Sequence, residues 1–266
     1  KDKYETIFKH ILKKAGLKDS GITQYSFRHN FATECYYNDV TLKECQRQMG
    51  HKSYKMILEV YGVEASRVEG AIISSVVPQV LNSIQTAIYK LTGKTSLVVG
   101  PGLKTGLNIH MDVPSQVGSD RIVAAVAALA EYEAPLILMD MGTATTIEVV
   151  EPNNVYMGGV IFPGVKISLD ALTSRAAQLP GISLEKPKQV IGKNTIDCMR
   201  SGMMFGTAAM IDGLIERMEE ELGHSCAIIA TGGLAQFVAP LCKREIILEK
   251  DLLLKGLNII YKKNKK

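Results

Sequence analysis

The chain has 266 residues, 46% hydrophobic and 22% charged, the balance of a globular protein able to bury a core. Its longest apolar stretch, Ile122 to Met139, is broken by Glu131 and Glu133 and falls short of the roughly 18 residues of a membrane span, and no secretory signal opens the chain. The net charge of +4 arises before Tyr61, where 11 Lys and Arg face 7 Asp and Glu; the remainder is balanced, so a polyanion partner is expected for the first quarter or for no part of the chain. Five cysteines, odd in number and never in a Cys-x-x-Cys pair, fit reduced thiols and a cytoplasmic location. The chain opens with Lys rather than Met, so truncation at the N-terminus is the expectation.

Residues Tyr4 to Ala15 carry Ile7, Phe8, Ile11 and Leu12 at helical spacing before Gly16. A second helix fits Ser26 to Tyr37, and Thr41-Leu-Lys-Glu opens a third in capping-box form that Gly50 closes. This all-helical segment carries Arg28-His29-Asn30-Phe31-Ala32-Thr33, then Gly50-His51-Lys52-Ser53, then Tyr61. In that order the boxes resemble the C-terminal catalytic part of tyrosine recombinases, the phage and transposon integrases. The resemblance implies a DNA partner, Tyr61 as nucleophile on a phosphodiester, and Arg28 and His51 as donors to the charge that builds on its oxygens. Tyr25 stands where that family has His, and its earlier Arg and β-hairpin Lys have no counterpart.

Between Gly62 and Gly70 the character changes, and strands alternate with helices. We expect a strand over 71–77, a helix over 78–91, a strand Ser96 to Val99, a helix over 120–132 and a strand over 135–140. Strands Thr145 to Val150 and Val155 to Ile161 follow, joined by a Pro-Asn-Asn turn suited to a hairpin. Then come a helix from Lys166 to Gln178, separate helices from Thr195 and Thr207, a strand Cys226 to Ala230, a short helix, a last helix from Asp251 and a frayed basic end, Lys262 to Lys266. The pattern is α/β with a mixed sheet.

The stretch from Gly118 to Thr146 concentrates the chemistry. Leu136-Ile137-Leu138-Met139 reads as a buried strand, so Asp140 belongs at its mouth; there Gly142 permits a tight turn, and the Thr hydroxyls with the following amides suit a phosphate. Gly100-Pro-Gly-Leu-Lys-Thr-Gly106, Gly118-Ser-Asp-Arg121, Asp140-Met-Gly-Thr-Ala-Thr-Thr146, Gly158-Gly159 and Thr231-Gly-Gly233 add further polar glycine loops. With Ile73-Ser-Ser-Val-Val-Pro78 and Gly192-Lys-Asn-Thr195, their order resembles the type III pantothenate kinases of bacteria, from about Val68 to the last helix. That family lies in the acetate kinase, sugar kinase, Hsp70 and actin superfamily of ribonuclease H-like folds.

The resemblance implies ATP-dependent phosphorylation of pantothenate, the first step of coenzyme A synthesis, by a homodimer without membrane contact. It assigns Asp120 as the base that accepts the hydroxyl proton, Arg121 to the pantothenate carboxylate, Gly118 and Ser119 to the substrate loop, and Thr195 as a further substrate donor. It assigns Asp140 to a monovalent cation, K+ or NH4+, Gly142 and Thr143 to the ATP phosphates, and Thr231, Gly232 and Gly233 to the adenosine. Each has a plainer reading: Asp120 as a helix N-cap, Arg121 as a surface ion pair, Thr195 as a capping Thr, and Asp140 and Thr143 as turn formers. Kinases of this family also begin with an Asp-x-Gly-Asn-Thr phosphate loop, and Asp140 to Thr143 is the one copy of the Asp-x-Gly-Thr type here. The sequence therefore reads as two joined pieces: a recombinase-like segment over 1–61, and a kinase part made of a truncated first domain over 62–133 and a second domain over 134–266.

Overall fold

The computed structural model describes residues 65–75 and 78–265; the three helices expected before Tyr61 lie outside them, as do Val76 and Val77 of the first expected strand. Residues 70–86 and 95–266 form one compact unit, and residues 87–94 group with the N-terminal residues in another. In chain order the elements are β1 (Ala71–Ile73), α1 (Pro78–Thr92), β2 (Ser96–Val98), β3 (Asn108–Ile109), α2 (Ser119–Glu131), β4 (Leu136–Met141), β5 (Ala144–Glu151) and β6 (Val155–Pro163). They continue with α3 (Val165–Arg175), α4 (Thr195–Leu222), β7 (Ala227–Thr231), α5 (Ala235–Val238), β8 (Ile247–Leu248) and α6 (Leu252–Asn264).

Six strands form a mixed sheet in the order β3-β6-β5-β4-β7-β8, with β4, β5 and β6 antiparallel neighbours and β7 parallel to β4; β1 and β2 pair in parallel as a separate ribbon. The β5–β6 hairpin turns as expected, because Asn153 and Asn154 both take positive φ, the conformation a tight hairpin demands and Asn tolerates. Period-2 alternation divides the side chains of β4 between two layers. Ile137, Met139 and Met141 pack with Ile147, Val149 and the α4 residues Met204, Ala208, Ile211 and Ile215. Leu136 and Leu138 pack with Val150, Tyr156 and the alanine face of α2, Ala124, Ala125, Ala127 and Ala128. The sheet is thus covered on both faces.

Three expectations are corrected. Thr207 does not start a second helix: its hydroxyl donates to the carbonyl of Met203 one turn earlier, and a single 28-residue α4 runs through it. The two-residue edge strands β3 and β8 were not expected, being too short to show a period. The basic end is not frayed as far as Lys265: Asn264 Oδ1 accepts from Lys104 N at 2.9 Å, its Nδ2 donates to Lys104 O at 3.0 Å, and Lys263 Nζ donates to Thr105 O at 3.0 Å. The last turn of α6 thereby holds the Gly100–Gly106 loop.

α6 crosses α2 at Gly256, where an added Cβ would strike the Val123 carbonyl and side chain. Gly256→Ala should therefore lower stability by about 1–3 kcal/mol through overpacking. Gly206→Ala, an exposed position in α4 with open space around it, should raise stability by roughly 0.5–1 kcal/mol. Chemical denaturation of the two variants checks the opposite signs.

Candidate active site

Strand register assembles the site from the sheet upward. Asp140 of β4 pairs with Thr146 of β5 and Thr231 of β7, and two residues deeper Leu138 pairs with Glu148 and Ile229. Thr146, Asp140 and Thr231 thus form one polar row across three strands, with Glu148 in the row beneath, on the face that α2 covers. The first turn of α2 closes the arrangement. Asp120, Arg121, Leu138, Asp140, Glu148 and Thr231 line one small cavity, so four of the residues expected from sequence come together.

Asp120 is the second residue of α2, not its cap: Gly118 holds the N-cap position and Asp120 Oδ1 accepts from the Arg121 amide at 2.9 Å. The capping alternative for Asp120 is overturned by its place two residues beyond the cap. The Ser119 hydroxyl meets the Ser74 hydroxyl at 2.8 Å, which ties the first turn of α2 to the segment after β1. Asp140 is half-buried at the mouth of β4, as its sequence position implied. Its carboxyl is held above the usual carboxylate range, first by burial and then by the charge of Asp120. Two carboxylates thus line one small cavity.

Arg121 is engaged. Its Nε and Nη2 donate to the two carboxylate oxygens of Glu148, each at 2.6 Å, and its guanidinium lies 5.8 Å from the centre of the Tyr156 ring. Tyr156, fully buried, donates its hydroxyl to Glu148 Oε2. Burial opposes the Arg121 charge, and the Glu148 carboxylate more than offsets it, so the guanidinium stays firmly protonated. Neither Glu148 nor Tyr156 was expected from sequence.

The glycine turns lie at the same end of the sheet. The Gly142 amide donates to Ala144 O at 3.0 Å and the Thr143 carbonyl accepts from Gly164 N at 3.0 Å. Gly232, at φ +96°, follows Thr231, and a Cβ there would meet the Met141 backbone and Asp140 Oδ1. Gly233 is exposed beside it. The turn at Gly232, where only glycine fits, and the exposed Gly233 beside it leave backbone free for the close approach of a phosphate or a flat ring.

Thr195 stands elsewhere. It begins α4 and lines a separate groove of about 620 Å³ with Leu172, Lys193, Met199 and Met203. The capping duty there falls on Asn194, whose Oδ1 accepts from Asp197 N at 2.9 Å. Among the described residues no thiol lines the Asp120 cavity, and burial pushes the Cys226 and Cys242 thiols up to about 11 and about 12. Among the described residues no three His, Cys, Asp or Glu side chains gather as a metal cluster, and no helix is long and apolar enough to cross a membrane.

A model of the type III pantothenate kinase family matches residues 19–217. The chain belongs to the type III pantothenate kinase family. Similar relatives carry that name: one from Halalkalibacterium halodurans is 42% identical, over 86% of this chain and 93% of its own, and one from Exiguobacterium is 45% identical, over 80% and 83%. A solved structure from Campylobacter jejuni, described as a conserved Baf family transcriptional activator, shares the fold with a TM-score of 0.52 and 20% identity, over 74% of this chain and 84% of its own. The α/β architecture with a mixed sheet is that of the sugar kinase and actin superfamily, as expected.

The family match begins inside the segment read as recombinase-like and takes in Arg28, His51 and Tyr61. It opens at Asp19-Ser20-Gly21-Ile22-Thr23, which has the Asp-x-Gly-x-Thr form with Ile where the loop expected from the resemblance has Asn. All of these positions lie outside the described residues.

Gly232→Ala tests the cradle. The positive φ and the clash with Asp140 should cost on the order of 1–3 kcal/mol and weaken ATP binding, whereas Gly233→Ala, with open space, should do much less to stability. Thermal unfolding with and without ATP measures both.

Proposed function

We propose that this chain transfers the γ-phosphoryl group of ATP to the primary hydroxyl of pantothenate, giving 4'-phosphopantothenate, the entry step of coenzyme A synthesis. Family membership supports the substrate pair, and one observation carries the site: Asp120, Arg121, Asp140 and Thr231 line a single cavity at the mouth of the sheet.

In this reading Asp120 is the general base. Its carboxylate takes the hydroxyl proton as the substrate oxygen bonds to phosphorus and ADP leaves. Arg121 binds the carboxylate at the other end of pantothenate, and Gly118 and Ser119 shape the loop that holds the chain between. Gly142, Thr143 and Thr231 to Gly233 hold ATP on the opposite side of Asp140. A monovalent cation, K+ or NH4+, fits beside Asp140, where it would offset phosphate charge; burial and the facing Asp120 carboxylate both leave Asp140 in need of a positive partner.

Thr195 contributes from its own groove. Around it Val190, Ile191 and Ile196 expose apolar side chains, and we assign that surface to a homodimer contact. We keep the division into a first kinase domain ending near residue 133 and a second one after it as part of this proposal. The alternative reading, DNA strand transfer through Arg28, His51 and Tyr61, is not favoured, since the family match runs through those positions.

The test is ATP-dependent formation of phosphopantothenate by the full chain. Asp120→Asn should lower turnover by at least about 100-fold while pantothenate still binds. Undiminished turnover in that variant would remove Asp120 as the base. Wild-type turnover that is the same in K+, NH4+ and buffers free of both would remove the cation from the account.

A further inference from the structure

Glu148 has no part in the chemistry just described, yet it is the most deeply buried charged side chain of the cavity, with 3% of its surface exposed. Burying a carboxylate is costly unless it is fully paired. Glu148 is paired three times: both oxygens accept from Arg121, through Nε and Nη2 at 2.6 Å each, and Oε2 also accepts from the hydroxyl of fully buried Tyr156. The Tyr156 ring lies 5.8 Å from the guanidinium carbon. A guanidinium has two edges that can grip a carboxylate, one formed by Nε and Nη2 and the other by Nη1 and the second hydrogen of Nη2. Glu148 occupies the first, and among the described residues Nη1, on the second, donates to no side chain.

We infer that Glu148, with Tyr156 behind it, is a positioning residue for acceptor binding: it clamps Arg121 by one edge so that the other edge is presented, fixed in orientation, to the carboxylate of the incoming substrate. The inference rests on the reading of Arg121 as the acceptor's anchor. Two consequences follow from the charge arithmetic. Arg121 and Glu148 together are neutral, so the site selects a carboxylate by directed hydrogen bonds more than by net charge. The clamp also removes most of the rotamer freedom that a long arginine would otherwise lose on binding, so affinity comes from preorganisation. A residue on β5 and another on β6 would thus set the acceptor specificity of a helix that neither belongs to.

The experiment is equilibrium titration of the full chain with pantothenate, with its neutral carboxamide analogue and with ATP. Glu148→Ala should weaken pantothenate by about tenfold or more. It should leave the carboxamide and ATP within about twofold. Glu148→Gln, which keeps one acceptor oxygen and the shape, should recover much of the loss, and Tyr156→Phe should weaken pantothenate several-fold with the same indifference to the carboxamide. Equal weakening of both acceptors in the folded variants, or unchanged pantothenate affinity, overturns the inference. Should Glu148→Ala not fold, Tyr156→Phe decides by the same comparison. Full pantothenate affinity in Arg121→Ala would instead overturn the reading of Arg121 itself, and no binding of pantothenate by the wild-type chain would overturn the acceptor site as a whole.

Discussion

The alanine face of α2 lies against the sheet, and the site depends on that contact. Ala124, Ala125, Ala127 and Ala128 are all buried, and they pack with Leu136, Leu138 and Val150 of the sheet. Close approach is what brings the first turn of α2, with Asp120 and Arg121, down to the mouth of β4. Gly256 of α6 extends the same principle on the outer side of the helix, where there is no room for a Cβ against Val123. The packing is thus asymmetric in residue size: small residues where α2 comes near the sheet, larger aliphatic ones under α4 on the opposite face.

Within the cavity the charges are arranged in tension. Asp140 is buried and faces the charge of Asp120, while Arg121, the positive group between α2 and the sheet, is already committed by one edge to Glu148. A buried pair of this kind adds little net stability, because desolvation consumes most of the attraction; what it supplies is orientation. The unrelieved partner is Asp140, and a phosphate-bearing substrate would add to its burden. That is the physical case for the cation proposed at this strand end.

Much of the fold could be read from residues alone. The run Leu136 to Met139 announced β4, Pro152-Asn153-Asn154 announced the hairpin, and the glycine loops announced the ends of the strands that carry the site. The errors have local causes. Thr207 carries a helix-start signature but spends its hydroxyl on its own preceding turn, and β3 and β8 are too short for alternation to exist. Asp120 and Arg121 were legible by their place in Gly118-Ser-Asp-Arg121. Glu148 was not, since 27 residues separate it from Arg121 and only the β4–β5 register together with the approach of α2 brings them to 2.6 Å. Thr195, legible by motif, lies in a groove whose relation to the cavity no sequence pattern reveals.

The claim on which the rest stands is that phosphoryl transfer to pantothenate occurs in the cavity between α2 and β4. A crystal structure of the full chain with pantothenate and a non-hydrolysable ATP analogue measures it directly. The account predicts the primary hydroxyl within hydrogen-bond reach of Asp120, the substrate carboxylate on the open edge of Arg121, and the terminal phosphate on the Asp140 side. Pantothenate seated wholly in the groove beside Thr195, with the Asp120 cavity containing only solvent, would contradict it.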